Sequence, residues 1–101
     1  MSLTCDMLLV TFEYSGLTSP ALEKFHAWCR EHAPRQGFLP LDTETAGGPK
    51  VFTETVLACA GNYFPWRELL EAMPSFGWEE RTTLVVHPEQ SRGYVWTCPG
   101  P

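Results

Sequence analysis

The stretch Met7-Leu8-Leu9-Val10-Thr11-Phe12-Glu13-Tyr14 decides how this chain is read. Side chains alternate across a strand with period two. Leu8, Val10, Phe12 and Tyr14 therefore share one face, and that face is apolar. Met7 and Leu9 point the other way and are apolar as well. A sheet with one face in water carries polar side chains there. Both sides of this strand, predicted over Cys5–Tyr14, are thus expected to meet something other than solvent.

Working outward, Ser15-Gly16 is a turn. Ser19 is placed to cap a helix, with Pro20 at the first position, where a missing N–H costs nothing. Leu22, Phe25, Cys29 and Ala33 then recur at helical spacing, Trp28 widens the stripe, and Pro34 stops the helix. Phe38-Leu39-Pro40-Leu41 predicts a short strand, at an edge because Pro40 donates nothing to a ladder. A third strand is predicted over Lys50–Ala60, broken by Gly61-Asn62. Pro65 opens a second helix carrying Trp66, Leu69, Leu70 and Met73, which Pro74 and Gly77 close. Strands over Glu79–His87 and Tyr94–Cys98 follow, and residues 99–101 are expected to fray.

The order β-α-β-β-α-β-β in a single α+β domain over residues 1–101 suggests a ferredoxin-like sandwich. Its sheet would be antiparallel, with both helices on one face and one strand added. The uncovered face would carry part of the set Met7, Leu9, Phe52, Val56, Val85 and Val95, or the alternate residues. A patch of that size marks an interface, and a two-fold homodimer packing sheet to sheet is the expected solution. On that reading Leu9→Glu gives a soluble monomer.

Composition narrows the function. The chain has 101 residues, 44% of them apolar, which excludes disorder. Net charge is −5, from 12 acidic and 7 basic residues, and the basic ones form no stripe. Direct nucleic-acid binding is therefore not expected, and the acidic balance suits a basic partner surface. No apolar run approaches the ~18 residues of a membrane span, and no basic leader precedes one. A cytoplasmic location is expected. The four cysteines include no C-x-x-C pair. In a reducing compartment they stay free thiols, mostly buried; after export, Cys5 and Cys98 could pair.

Few constellations carry chemistry. His26, Cys29 and His32 lie on one predicted helix, but their spread of roughly 120° lets one metal ion touch only a pair. His26 and Cys29 are that pair, with Cys59 or His87 as sheet ligands, yet core packing of Cys29 is the simpler reading. No cofactor or metal is expected. His87, at a strand end, could act as a base only if Glu89, Glu13 or Glu54 oriented it. The densest aromatic run is Asn62-Tyr63-Phe64-Pro65-Trp66, followed by Arg67. It opens a helix, where an anion could bind, and its Tyr, Trp and Arg content is that of an interface hot spot.

These readings converge on a small acidic interaction protein without catalysis, an inhibitor or regulator that occludes a partner protein's surface. Immunity proteins, antitoxins and phage anti-defence (anti-CRISPR) proteins share its size, charge and lack of catalytic motifs. Tyr63, Phe64, Trp66, Arg67, Leu9 and Phe52 are the expected contact residues. The alternative is a ferredoxin-like dimeric enzyme or small-ligand binder whose apolar pocket is lined by Trp28, His87, Tyr94 and Trp96.

Overall fold

The computed structural model describes residues 3–13, 19–41 and 55–100. Among them the chain forms β1 (Thr4–Thr11), α1 (Pro20–His32), β2 (Leu39–Pro40), β3 (Thr55–Asn62), α2 (Trp66–Ala72), a 3-10 turn (Met73–Phe76), β4 (Thr82–Pro88) and β5 (Tyr94–Cys98). This is a small α+β domain. The strands make one five-stranded antiparallel sheet in the order β2-β3-β1-β4-β5. β1 is central. Because β1 and β2 both run antiparallel to β3, they are parallel to each other, and α1 links them across β3. In the same way α2 links the parallel pair β3 and β4 across β1. β2, with Pro40, lies at the edge expected from its missing N–H.

Local chemistry sets the helix ends. Ser19 Oγ accepts from Leu22 N–H at 3.2 Å, and Pro20 is the first helical residue. Gly77 closes the 3-10 turn in the left-handed region at φ 78°, where a side chain would add strain. β3 runs past the expected break: Gly61 pairs with Cys5 and Asn62 with Thr4. The Gln36 side chain substitutes for a neighbouring strand there, its amide nitrogen donating to Asn62 O at 2.9 Å and its oxygen accepting from Asn62 N–H.

The core lies on one side of the sheet. Cys5, Met7 and Leu9 of β1, Leu57 and Cys59 of β3, and Leu84 and Val86 of β4 join Leu22, Phe25 and Cys29 of α1 and Leu69, Met73 and Phe76 from the second helical segment in one cluster. Leu9 is 0% exposed. This corrects the expected contact surface: Leu9 and Met7 are core, and the open face carries their alternates, Leu8 and Val10, which are half-buried. Summed over all strands the difference is plain, since Asp6, Thr83, His87 and Thr97 share the open face with Leu8 and Val10. Phe52 lies outside the described residues.

A buried carboxylate joins the ends of these elements. Glu13, 6% exposed, accepts through Oε1 from the Ser19 hydroxyl at 2.7 Å. Its Oε2 accepts from Glu79 N–H at 2.9 Å and Glu80 N–H at 2.7 Å. Its carbonyl accepts from Thr55 Oγ1 at 2.9 Å. Its N–H donates to Thr11 Oγ1, which lies 2.7 Å from Thr82 Oγ1, and Thr82 donates in turn to Glu80 O. One residue thus ties the end of β1 to the cap of α1, the start of β3 and the approach to β4. Burial without partners would cost several kcal/mol; here every polar atom of Glu13 is satisfied.

Two outcomes follow for stability. Leu9→Glu abolishes folding, read as loss of native circular dichroism, while Leu8→Glu leaves a folded protein; equal behaviour of the two would contradict the one-sided core. Glu13→Gln removes the charge that the three donors share and, whichever way the amide turns, replaces one acceptor oxygen by an N–H donor; it lowers the free energy of unfolding by about 1–3 kcal/mol. Urea titration reads this as a lower midpoint at unchanged slope, and an unmoved midpoint would show that the Glu13 charge and both acceptor oxygens are dispensable.

Candidate functional site

Four of the six expected contact residues come together. A cleft of about 320 Å³ opens where β1 begins and where β3 and β4 end, and Tyr63, Phe64, Trp66 and Arg67 all line it. Gly61 makes the segment possible. A Cβ there would stand 2.7 Å from Phe64 Cβ and 3.1 Å from Gln36 Oε1, so only glycine lets Phe64 fold back beneath the sheet. Phe64 is 4% exposed and packs edge-on to Phe38 at 6.2 Å between ring centroids. The reversal costs backbone strain. Tyr63 adopts φ 54°, unusual for a side-chain-bearing residue, and its N–H donates to Leu3 O at 2.9 Å. The consequence is an aromatic ring held outward, 59% exposed.

Trp66 begins α2 and packs on Tyr94 of β5 at 5.0 Å. The Arg67 guanidinium lies 4.5 Å from the Trp66 ring centroid, and that of Arg92 lies 5.3 Å from Tyr94. The two rings meet at a tilt of 33°, and each carries a guanidinium, a favourable arrangement at a partly solvated surface. Hydrogen bonds from Ser91 and Arg92 hold the Tyr94 hydroxyl below the ordinary tyrosine range.

The facing wall is the β4–β5 turn. Glu89 N–H donates to Thr4 O at 2.9 Å, and Glu89 Oε1 accepts from Thr4 Oγ1 at 2.8 Å and Thr4 N–H at 3.2 Å. Those bonds, the hydroxyl's first, hold the Glu89 carboxyl below its usual range. Glu89, Gln90 and Ser91 complete the lining. Nothing local in the sequence marks them, because the β1–β4 pairing that brings residue 89 beside residue 4 spans most of the chain.

Other expected groupings stay apart. Trp28 stacks on His32 at 4.1 Å and is half-buried against the core. His87 is exposed on the open sheet face, whereas Tyr94 and Trp96 are half-buried against the core on the opposite face. His87 thus stands apart from Trp28, Tyr94 and Trp96, all of which lie against the core. Glu13 is committed at the far end of β1, and Glu54 lies outside the described residues; the carboxylate in register with His87 is Asp6, which the sequence reading passed over. His26 sets its ring edge-on to Phe25 at 5.5 Å, and Cys29 is buried in the core. Among the described residues no three His, Cys, Asp or Glu side chains converge as metal ligands. The conditional Cys5–Cys98 pair is ruled out by register, since Cys5 pairs with Pro88 and Cys98 with Thr82, at opposite ends of β4.

No family model, curated protein or solved structure matches this chain significantly. No helix among the described residues is long and apolar enough to cross a membrane.

The thiols supply a pH signature. Burial, with lesser contributions from Asp6 and Cys59, pushes Cys5 up to about 11; burial pushes Cys29 up to about 12 and raises Cys59. The folded chain holds these protons after the unfolded chain releases them at about pH 8.5. Their contribution to stability is therefore full below that pH and is lost as pH rises through 9 toward 11. His26 acts oppositely: burial, then Arg30, lowers its pKa, so stability is lost as pH falls below about 6.5. Urea midpoints should plateau between these limits and fall on both sides, with a shallower alkaline limb in Cys29→Ala. A flat profile into the alkaline range would show that the thiols are not sealed.

Proposed function

We propose that this chain is a non-catalytic protein-binding module, an inhibitor or regulator that occludes a partner protein's surface through the Tyr63–Arg67 cleft. The observation that carries this reading is the strained, outward Tyr63 beside a braced tryptophan. Its backbone is fixed before any partner arrives, so little ordering is left to pay for on binding. Trp66 and Arg67 supply the other residue types that dominate binding energy at interfaces. The cleft's two charged side chains are occupied structurally, Glu89 by Thr4 and Arg67 on the Trp66 ring, which suits recognition better than proton transfer. A net charge of −5 favours approach to a basic surface.

The same reading takes the fold as a ferredoxin-like sandwich extended by β5. The support is the interleaving: each β-α-β unit leaves a gap that a strand of the other fills. The fifth strand, beyond β4, is the departure from the four-stranded pattern. We place the protein in the cytoplasm, a choice supported by its four unpaired cysteines.

Quantitative affinity capture from the source cells tests the function. A specific partner recovered with wild type should fall at least about tenfold with Tyr63→Gly and with Arg67→Ala. Tyr63→Gly also relieves about 1 kcal/mol of left-handed strain, so its melting temperature should match or exceed wild type. Undiminished recovery of every captured protein by both variants would remove the cleft from the contact.

A further inference from the structure

The open face of the sheet has an order that the cleft does not use. One row crosses all five strands in register: Leu39 pairs with Ala58, Ala58 with Leu8, Leu8 with Val85, and Val85 with Val95. Every member is apolar. The row ends are the most open, with Leu39 at 71% and Val95 at 65% exposure. Charges stand on either side of it. On the β4 line Arg81 lies four residues before Val85 and Glu89 four residues after. Arg81 is held by Phe12, just past the end of β1, and Glu89 by Thr4 at its start. The Arg81 guanidinium lies 4.1 Å from the Phe12 ring centroid, and Glu89 Oε1 accepts from Thr4 Oγ1. Phe12 and Thr4 are themselves four residues either side of Leu8. The face thus has an apolar axis with Arg81 at one end, beside Glu80, and Glu89 at the other.

We propose that this face binds a second copy of the chain, related by a two-fold axis running along the row Leu39–Ala58–Leu8–Val85–Val95. Rotation about that axis lays one apolar row on the other and turns the Arg81 end of each copy onto the Glu89 end of its mate. Arg81 then meets Glu89 of the second copy, twice per dimer. The other in-plane axis, along β1, would set like ends together, and is disfavoured by the same charges. The flanking rows place Val10, Val56 and Thr83 of one copy over Asp6, Ala60 and His87 of the other. Asp6 and His87 stand opposite each other across β1 and β4. With about 4.8 Å between strands and 3.3 Å per residue, the face spans roughly 500–600 Å² in plan, near the ~800 Å² of accessible surface that each partner contributes to a standard interface. Twisted sheets stack in this way at about 10 Å separation and 30° rotation. The surface meets the Tyr63–Arg67 cleft at Thr4 and Glu89; Arg81 lies outside the cleft, so its reversal tests the face without touching the cleft.

Charge reversal tests both the face and its symmetry. Sedimentation velocity from about 10 µM to about 1 mM should show a wild-type monomer–dimer equilibrium. Arg81→Glu and Glu89→Arg should each weaken it tenfold or more, because each homodimer then opposes like charges. Mixing the two single variants in equal amounts should restore dimers to within about threefold of wild type, since every contact in the mixed pair again joins opposite charges. That restoration also shows that neither variant is merely unfolded. A wild type that stays monomeric, a dimer indifferent to both reversals, or a mixture that remains monomeric would each overturn the proposal.

Discussion

Two short helices cannot cover both faces of a five-stranded sheet, and the rest of this structure follows from that limit. The buried face carries the larger side chains: Met7, Leu9, Leu57, Leu84 and Val86 meet Phe25, Leu69, Met73 and Phe76. The opposite face retains Leu8, Val10, Val56 and Val85 in a half-buried state, with Leu39 and Val95 open. Polar residues interrupt that face without removing its apolar character. In a domain of about 100 residues, stability rests on few buried groups. Around Phe25, Phe38 and Phe76 pack edge-on and Trp78 at a tilt.

Holding the helices to the correct face is a matter of junctions as much as of grease. Glu13 gathers the cap of α1, the approach to β4 and the start of β3 around one sealed carboxylate. At the other end of the sheet Gln36 and Glu89 act more locally. Gln36 completes β3 beyond the reach of β2, and Glu89 closes the β4–β5 turn onto Thr4. The cleft beside Tyr63 is a by-product of the second set of junctions. The chain must reverse after β3, Gly61 permits it, and the strained reversal leaves a ring outside.

Much of this was legible in the sequence, and the exceptions share a cause. The limits of β5, the Ser19 cap, Pro20 at the helix start and Pro40 at an edge depend on neighbours within a few positions, and each was readable. The aromatic run around Tyr63 was readable for the same reason. The choice of buried face was not, because β1 is apolar on both sides taken alone; only the register with β4 and β5 adds Thr83, His87 and Thr97 to the open face and decides it. The extension of β3 through Asn62 depends on Gln36, 26 residues away, and the second wall of the cleft on a pairing between residues 4 and 89, 85 apart. Local pattern carries propensity and alternation, while it carries little about which distant polar group will satisfy a strand end.

The one-sided core is tested most directly by methyl NMR of dilute protein with a soluble paramagnetic chelate. Methyl signals of Leu9, Leu57, Leu84 and Val86 should be unaffected, those of Leu39 and Val95 strongly broadened, and those of Leu8, Val10 and Val85 broadened to an intermediate degree. Protection of Leu8 and Val85 equal to that of Leu9 and Leu84 in the dilute monomer would mean that the chain seals both faces itself, and would contradict the open sheet.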